Sequence, residues 1–167
     1  MRVFLIGFMG AGKSTTGRAL AQRTGALFVD LDERIEASLG LTIPEIFRRL
    51  GEGAFRAEES RQLEACGRFP DVVVATGGGT FTFEANRALI SRLGVSVFLD
   101  PPWREVLRRL PGKREDRPLF SAPETAYDLY RSRLQHYRQA GLHVQPQENE
   151  DPEAIAVRIV LLLGELT

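Results

Sequence analysis

The sequence predicts an α/β protein of three layers, in which helices cover both faces of a central five-stranded parallel sheet. Short apolar runs alternate with segments of helical periodicity along the whole chain, a pattern typical of consecutive β-α-β units. The first run, residues 3–6, is continuously apolar, as is expected of a central strand buried on both faces. A glycine-rich turn follows it directly, and ligands of such sheets bind beyond the carboxyl ends of the strands.

The other elements follow from apolar periodicity and from residues that start or stop helices. Strands are predicted at residues 3–6, 26–29, 72–75, 95–99 and 142–144. Helices are predicted at residues 13–23, 31–39, 42–50, 54–66, 83–93, 103–110 and 124–140, and from 152 onward. The stretch of residues 51–53, Gly-Glu-Gly, is expected to separate two helices.

Composition restricts the class of protein. A chain of 167 residues is the size of one domain, so we expect a single domain over residues 1–167. Its formal net charge of zero argues against a general nucleic-acid or membrane-surface partner. No apolar run approaches the roughly 18 residues of a membrane span and no leader pattern precedes the first strand, so a cytoplasmic location is expected. The single cysteine, Cys66, excludes an internal disulfide.

The chain is organised around a phosphate-binding motif. Residues 7–14 read GFMGAGKS, which matches G-x-x-x-x-G-K-[ST] between a predicted strand and a predicted helix. The glycines let backbone N–H groups approach phosphate oxygens, and the N-terminus of the helix adds partial positive charge. Lys13 supplies a charge for the β- and γ-phosphates, and Ser14 is a candidate Mg²⁺ ligand. A glycine-rich turn without a ligand is the alternative.

Three further clusters carry residue types suited to chemistry. Asp30 and Asp32 follow the second strand, where one carboxylate can reach Mg²⁺ and the other a substrate hydroxyl; simple helix capping by Asp30 is the alternative. Residues 77–79 are three glycines after the third strand, which suit either a ligand lying against bare backbone or a flexible turn. Arg56 and Glu59 lie one helical turn apart, in a binding site or as a solvated ion pair.

A basic segment covers residues 104–117. Arg104, Arg108 and Arg109 lie along a predicted helix and are compatible with its exposed face. The charged loop that follows, at residues 111–118, suits a lid that closes over phosphates and excludes water. A solvated loop is the alternative.

Taken together, these motifs resemble those of the shikimate kinase family over nearly the whole chain. The family's phosphate loop, Asp-x-Asp, Gly-Glu-x-x-Phe-Arg-x-x-Glu, triple glycine and Arg-Pro-Leu motifs match residues 7–18, 30–32, 51–59, 77–79 and 117–119, in that order. The resemblance implies a fold of the P-loop kinase type, with a substrate-binding segment at residues 31–62 and a lid at residues 111–121. The implied activity is Mg²⁺-dependent transfer of the γ-phosphoryl group of ATP to the 3-hydroxyl of shikimate, in aromatic amino-acid biosynthesis. We expect the protein to be a monomer.

The resemblance also implies roles for individual residues. The expected catalytic residues are Asp32, Lys13 and Arg117, with Asp32 placed to accept the proton of the attacking hydroxyl. The expected metal ligands are Ser14 and Asp30. The expected ATP-binding residues are Gly10, Ala11, Gly12, Lys13, Ser14, Thr15, Arg109, Arg117 and Pro152. The expected shikimate-binding residues are Asp32, Arg56, Gly77, Gly78, Gly79, Arg133, Ile43, Phe47 and Phe55.

The chain departs from the family pattern in two places. Residues 133–137 keep the arginine and tyrosine of an Arg-x-Pro-Leu-Tyr motif, but Gln135 and His136 replace its Pro-Leu. The arginine expected to stack on adenine is Arg109, with Arg108 as the competing choice. Two other functions compete with the one that the resemblance implies: another small-molecule kinase of this architecture, such as a gluconate or nucleoside-monophosphate kinase, and a nucleotide-binding module without catalysis.

Overall fold

The computed structural model describes residues 1–110 and 123–165 of the chain. The strands in this part of the chain are β1 (Arg2–Ile6), β2 (Leu27–Asp30), β3 (Val72–Ala75), β4 (Val95–Leu99) and β5 (Leu142–Val144). They form one sheet in the order β2-β3-β1-β4-β5, and every neighbouring pair is parallel. The predicted five-stranded parallel sheet is therefore confirmed.

Eight α-helices connect and cover these strands within the described residues. They are α1 (Lys13–Thr24), α2 (Leu31–Leu39), α3 (Ile43–Arg49), α4 (Gly51–Ala65), α5 (Glu84–Leu93), α6 (Trp103–Arg109), α7 (Pro123–Tyr137) and α8 (Pro152–Gly164). Two short 3₁₀ helices in this part of the chain, at Cys66–Arg68 and Thr80–Thr82, were not predicted from the sequence. Among the described helices, none combines the length and the apolar character needed to cross a membrane.

Two predicted helix boundaries are wrong. Residues 51–53 do not separate two helices, because α4 begins at Gly51, whose φ of 84° turns the chain within a single residue. Helix α7 ends at Tyr137, three residues before the predicted end. The amides of Gln139 and Ala140 bond three residues back rather than four, so the chain tightens into a turn there.

The core lies on both faces of the sheet because side chains alternate along each strand. In β1, Phe4 and Ile6 belong to an apolar cluster on one face, while Val3 and Leu5 belong to a second cluster on the other. Helices α1 and α8 cover the second cluster, and the remaining helices contribute to the first. Since all strands are parallel, the segments that follow β1, β2 and β3 meet at one edge of the sheet.

Candidate active site

The phosphate-binding loop connects β1 to α1. Gly10 and Gly12 have φ angles of 76° and 92°, which a residue with a Cβ rarely adopts, so the loop's path depends on glycine at these positions. The Lys13 ammonium is buried and donates hydrogen bonds to the carbonyls of Gly7 and Phe8, at 2.7 and 2.8 Å. The loop's own backbone thus holds the lysine charge against the phosphate-binding motif.

Asp30, the last residue of β2, contacts both the first turn of α1 and the start of α2. Its Oδ1 accepts hydrogen bonds from the backbone N–H groups of Asp32 and Glu33, at 3.1 and 3.4 Å, so it caps α2 as the alternative interpretation expected. Its Oδ2 accepts a hydrogen bond from the Ser14 hydroxyl at 2.7 Å. Capping and proximity to Ser14 therefore occur together, one on each carboxylate oxygen.

The donor set at Ser14 and Asp30 fits Mg²⁺. A hydroxyl and a carboxylate are hard oxygen ligands, and Mg²⁺ commonly takes only one or two protein oxygens while phosphates and waters supply the others. Among the described residues, no group of three or more His, Cys, Asp or Glu side chains could hold a metal ion. A metal at this position would complete its coordination with phosphate oxygens or waters.

A first pocket lies over the phosphate-binding loop. It is lined by Gly10, Gly12, Lys13, Ser14, Thr15, Asp30, Asp32, Thr76, Arg109, Glu150 and Pro152. Of the two competing arginines it includes Arg109. Ala11, expected to bind ATP, is buried and not part of the lining, and its N–H donates to the Phe8 carbonyl at 3.2 Å. Arg117 and the lid at residues 111–121 lie outside the described residues.

A second pocket adjoins the first. It is lined by Met9, Asp32, Ile43, Phe47, Phe55, Arg56, Glu59, Gly77, Gly78, Gly79 and Arg133. All of the residues expected to bind shikimate are brought together here. Asp32 lines both pockets. Met9 was not predicted to line this pocket, because it occupies a variable position of the phosphate-binding motif and such a position does not indicate contact with a second ligand.

The ion pair between Arg56 and Glu59 lies in the second pocket rather than on a solvated surface. The Arg56 Nη1 donates to Glu59 Oε1 at 3.0 Å, and the two side chains are 16% and 0% exposed. The solvated alternative is therefore wrong. Thr80 donates to the other Glu59 oxygen at 2.6 Å, and the Arg56 guanidinium lies about 5 Å from the ring centroids of Phe55 and Phe83. Burial raises the pKa of Glu59, while the charge of Arg56 opposes that shift.

The triple glycine at residues 77–79 lets the charged side chains of this pocket lie directly against the backbone. None of the three residues has a φ in the left-handed region, so the glycines are not needed for a special turn. A Cβ on the first would lie 3.1 Å from Glu59 Oε2, on the second 3.3 Å from Arg133 Nη1, and on the third 2.7 Å from Arg56 Nη2. The segment is bare so that these side chains can rest against backbone, which a merely flexible turn would not require.

Helix α7 also contributes to this pocket. The Tyr137 hydroxyl is buried and donates to the carbonyl of Gly78 at 2.5 Å, and Arg133 on the same helix is also buried. His136 Nδ1 lies 3.4 Å from Nη1 of Arg87. The same Arg87 nitrogen donates to two carbonyls of the 3₁₀ helix at Thr80–Thr82. Gln135 keeps the backbone N–H that a proline would lack. The two departures from the family motif thus coexist with an intact helix carrying the arginine and the tyrosine.

These features together define a class of protein. A phosphate-binding loop forms one pocket, two arginines and an apolar wall form another, and a single aspartate lines both. This is the arrangement of a P-loop small-molecule kinase, in which a phosphoryl group passes from a nucleotide to an anionic acceptor.

Comparison with known proteins identifies the family. The family model described as shikimate kinase matches residues 9–163. The shikimate kinase of Prochlorococcus marinus (strain MIT 9313) is 41% identical over 98% of this chain and 86% of its own length, and that of Synechococcus sp. (strain CC9902) is 43% identical over the same shares. The solved structure of the shikimate kinase from Acinetobacter baumannii in complex with shikimate matches with a TM-score of 0.93 at 34% identity, covering 99% of this chain and 94% of that one. The chain belongs to the shikimate kinase family, and it is an ATP-dependent kinase.

Proposed function

We propose that this chain transfers the γ-phosphoryl group of ATP to the 3-hydroxyl of shikimate, giving ADP and shikimate 3-phosphate, in the biosynthesis of aromatic amino acids. The observation that carries this proposal is that Asp32 lines both pockets, so one carboxylate lies where a donor phosphate and an acceptor hydroxyl would meet. The solved relative described in complex with shikimate supports the choice of acceptor.

The second pocket is suited to a cyclic carboxylic acid with hydroxyl groups. Arg56 and Arg133 place two guanidinium groups in it, and planar guanidinium groups bind carboxylates through paired hydrogen bonds. Phe47 and Phe55, with ring centroids 4.9 Å apart, form an apolar wall together with Ile43 that fits the carbon face of a ring. We assign acceptor binding to residues 31–62 together with residues 77–79 and Arg133.

The first pocket is suited to ATP. The loop amides and Lys13 are the groups for the β- and γ-phosphates, and Lys13 stabilises the charge that develops during transfer. Arg109 and Pro152 line the same pocket and are assigned to the base. Arg117, outside the described residues, is assigned a further positive charge over the phosphates.

Asp32 is assigned the acceptor hydroxyl. Its carboxylate accepts a hydrogen bond from the 3-hydroxyl, aims the oxygen at the γ-phosphorus and takes the proton as the new O–P bond forms. The bond between the γ-phosphorus and the β,γ-bridging oxygen breaks, and that oxygen leaves on ADP. Ser14 and Asp30 would hold Mg²⁺, which when bound neutralises part of the phosphate charge.

We propose a monomer as the active unit. We also place the enzyme in the cytoplasm, where ATP is available to a kinase. Sedimentation velocity of the purified protein would test the monomer, and a stable dimer would contradict it.

A coupled assay of ADP release tests the proposed reaction. Shikimate is expected to support turnover, whereas gluconate and nucleoside monophosphates are not. Turnover with either alternative but not with shikimate would overturn the proposal, and so would ATP binding without any ADP release.

The variant Asp32→Asn tests the role of the shared carboxylate. It keeps the size of the side chain but removes the acceptor of the proton, so it is expected to lower kcat by at least about a hundredfold, as typical for loss of a general base. Titration with ADP is expected to give an unchanged Kd, because Asp32 serves the acceptor. A loss of ADP affinity as large as the loss of kcat would contradict that assignment.

A further inference from the structure

We propose that Glu105 is a positioning residue of the nucleotide site, whose buried carboxylate sets the plane of the Arg109 guanidinium against the phosphate-binding loop. This inference rests on the proposed assignment of the first pocket to ATP. Glu105 does not line either pocket, so its effect on the nucleotide would be exerted through Arg109.

The burial of Glu105 distinguishes it from an ordinary helix-stabilising residue. Its side chain is 2% exposed, and its Oε2 accepts hydrogen bonds from Arg108 Nη2 at 2.8 Å and from Arg109 Nη2 at 3.1 Å. Spacings of three and four residues are common for solvated pairs on a helix. Such pairs need no burial, and a carboxylate out of water is tolerated only where cations and hydrogen bonds compensate for lost solvation.

Arg109 is held at two points by two different nitrogens. Its Nη2 donates to Glu105, and its Nη1 donates to the carbonyl of Gly10 in the phosphate-binding loop at 3.1 Å. A guanidinium is planar, so two hydrogen bonds from separate nitrogens define the orientation of its plane. The faces of that plane are then available for stacking on a flat base, in a pocket that Pro152 also lines.

Helix α6 packs closely against the phosphate-binding loop, so the position of Arg109 relative to the loop is well defined. A Cβ at Gly10 would lie 3.4 Å from the carbonyl oxygen of Val106 and 3.5 Å from the Cβ of Arg109. A Cβ at Gly12 would lie 3.3 Å from Arg109 Nη1. The loop backbone therefore fits directly against the arginine that Glu105 holds.

Removal of the carboxylate charge should affect base binding selectively. In Glu105→Gln, the charged hydrogen bond from Arg109 is replaced by a neutral one to an amide oxygen for which Arg108 also competes, so the plane of the guanidinium is held less firmly. The difference between a charged and a neutral hydrogen bond corresponds to a rise in the Kd for ADP of about tenfold. Inorganic tripolyphosphate, which has no base, should bind unchanged, and so should the acceptor, as measured by the KM for shikimate.

The test is calorimetric titration of the full chain with Mg-ADP and with tripolyphosphate. Arg108→Gln is the matched control, because Arg108 bonds to the same carboxylate but is 59% exposed and absent from the pocket lining. For Glu105→Gln we expect a tenfold loss of affinity for ADP and no loss of affinity for tripolyphosphate. Arg108→Gln should bind both as the wild type does. The double variant Glu105→Gln/Arg109→Ala should have the same Kd for ADP as Arg109→Ala. Unchanged ADP affinity, an equal loss with tripolyphosphate, or additive losses in the double variant would overturn the proposal.

A second variant keeps the proposal testable if Glu105→Gln does not fold. Arg109→Lys keeps the positive charge but cannot donate from two fixed nitrogens, so it should weaken ADP binding to a similar extent without affecting tripolyphosphate. ADP affinity equal to that of the wild type would contradict the proposal. Because these titrations involve no acceptor, their failure is distinguishable from a failure of shikimate phosphorylation.

Discussion

Replacing Gly79 with alanine is expected to disable the acceptor site while leaving the protein folded. A Cβ at this position would lie 2.7 and 2.8 Å from the two terminal nitrogens of Arg56, whereas ordinary contacts begin at 3.4 Å. The guanidinium must therefore move by about 0.7 Å to relieve the overlap. Because the clash is with the end of a long side chain, the backbone of residues 77–79 can stay in place.

That displacement is large enough to break the bond that holds Arg56. Its hydrogen bond to the buried Glu59 is 3.0 Å long, and a shift of about 0.7 Å away from Glu59 would carry it beyond hydrogen-bonding distance. A hydrogen bond to a charged group contributes about 1.5–3 kcal/mol. This range corresponds to roughly a ten- to hundredfold loss of acceptor affinity.

Steady-state kinetics with each substrate varied in turn measures the effect. The KM for shikimate is expected to rise by roughly ten- to a hundredfold, with the KM for ATP unchanged. Gly53→Ala is the matched control, since nothing lies within 4 Å of a Cβ there and Gly53 is in α4. It should leave both KM values unchanged and raise the free energy of unfolding by about 0.5–1 kcal/mol. A folded Gly79→Ala enzyme with a normal KM for shikimate would refute this account of the triple glycine.

Two further predictions concern the metal site and acid stability. Ser14→Ala removes one of the proposed Mg²⁺ ligands, so the Mg²⁺ concentration for half-maximal rate should rise by about tenfold or more and return towards normal in Ser14→Thr; an unchanged Mg²⁺ titration would exclude this ligand. Hydrogen bonds from Arg61 and Gln62 hold the pKa of the buried Glu58 at about 2, so its ionised form stabilises the fold fully above its ordinary pKa of 4.5 and progressively less as the pH falls towards 2. Urea unfolding of Glu58→Gln should therefore show a loss of about 1–2 kcal/mol at pH 7, allowing for the exposure of Arg61, that disappears near pH 2. A loss of unfolding free energy that does not depend on pH would contradict the assignment of this stabilisation to ionised Glu58.

Features carried by consecutive residues could be predicted from the sequence. A buried parallel strand requires an unbroken apolar run, and a phosphate-binding loop requires glycines and a lysine at set spacings, so both are legible along the chain. The same holds for the aspartates after β2, because the carboxyl ends of parallel strands share one edge. Here the chain order alone determines which residues come together.

Features that depend on tertiary packing could not be predicted in the same way. Glu59 pairs with Arg56, and Glu105 pairs with two arginines, at spacings that are identical for exposed and buried helix faces. The composition of residues 77–79 indicated a close approach to backbone, but only the fold shows that Arg56, Arg133 and Glu59 make it. Likewise, the choice of Arg109 over Arg108 depends on the register in which α6 packs on the loop.

A crystal structure with ADP and shikimate bound tests the central claim most directly, namely that Asp32 joins a donor pocket to an acceptor pocket. We expect the shikimate carboxylate to bind Arg56 and Arg133, and the 3-hydroxyl to lie within hydrogen-bonding distance of the Asp32 carboxylate and to face the β-phosphate of ADP. A shikimate ring bound with its carboxylate away from both arginines, or with its 3-hydroxyl turned away from Asp32, would contradict the account.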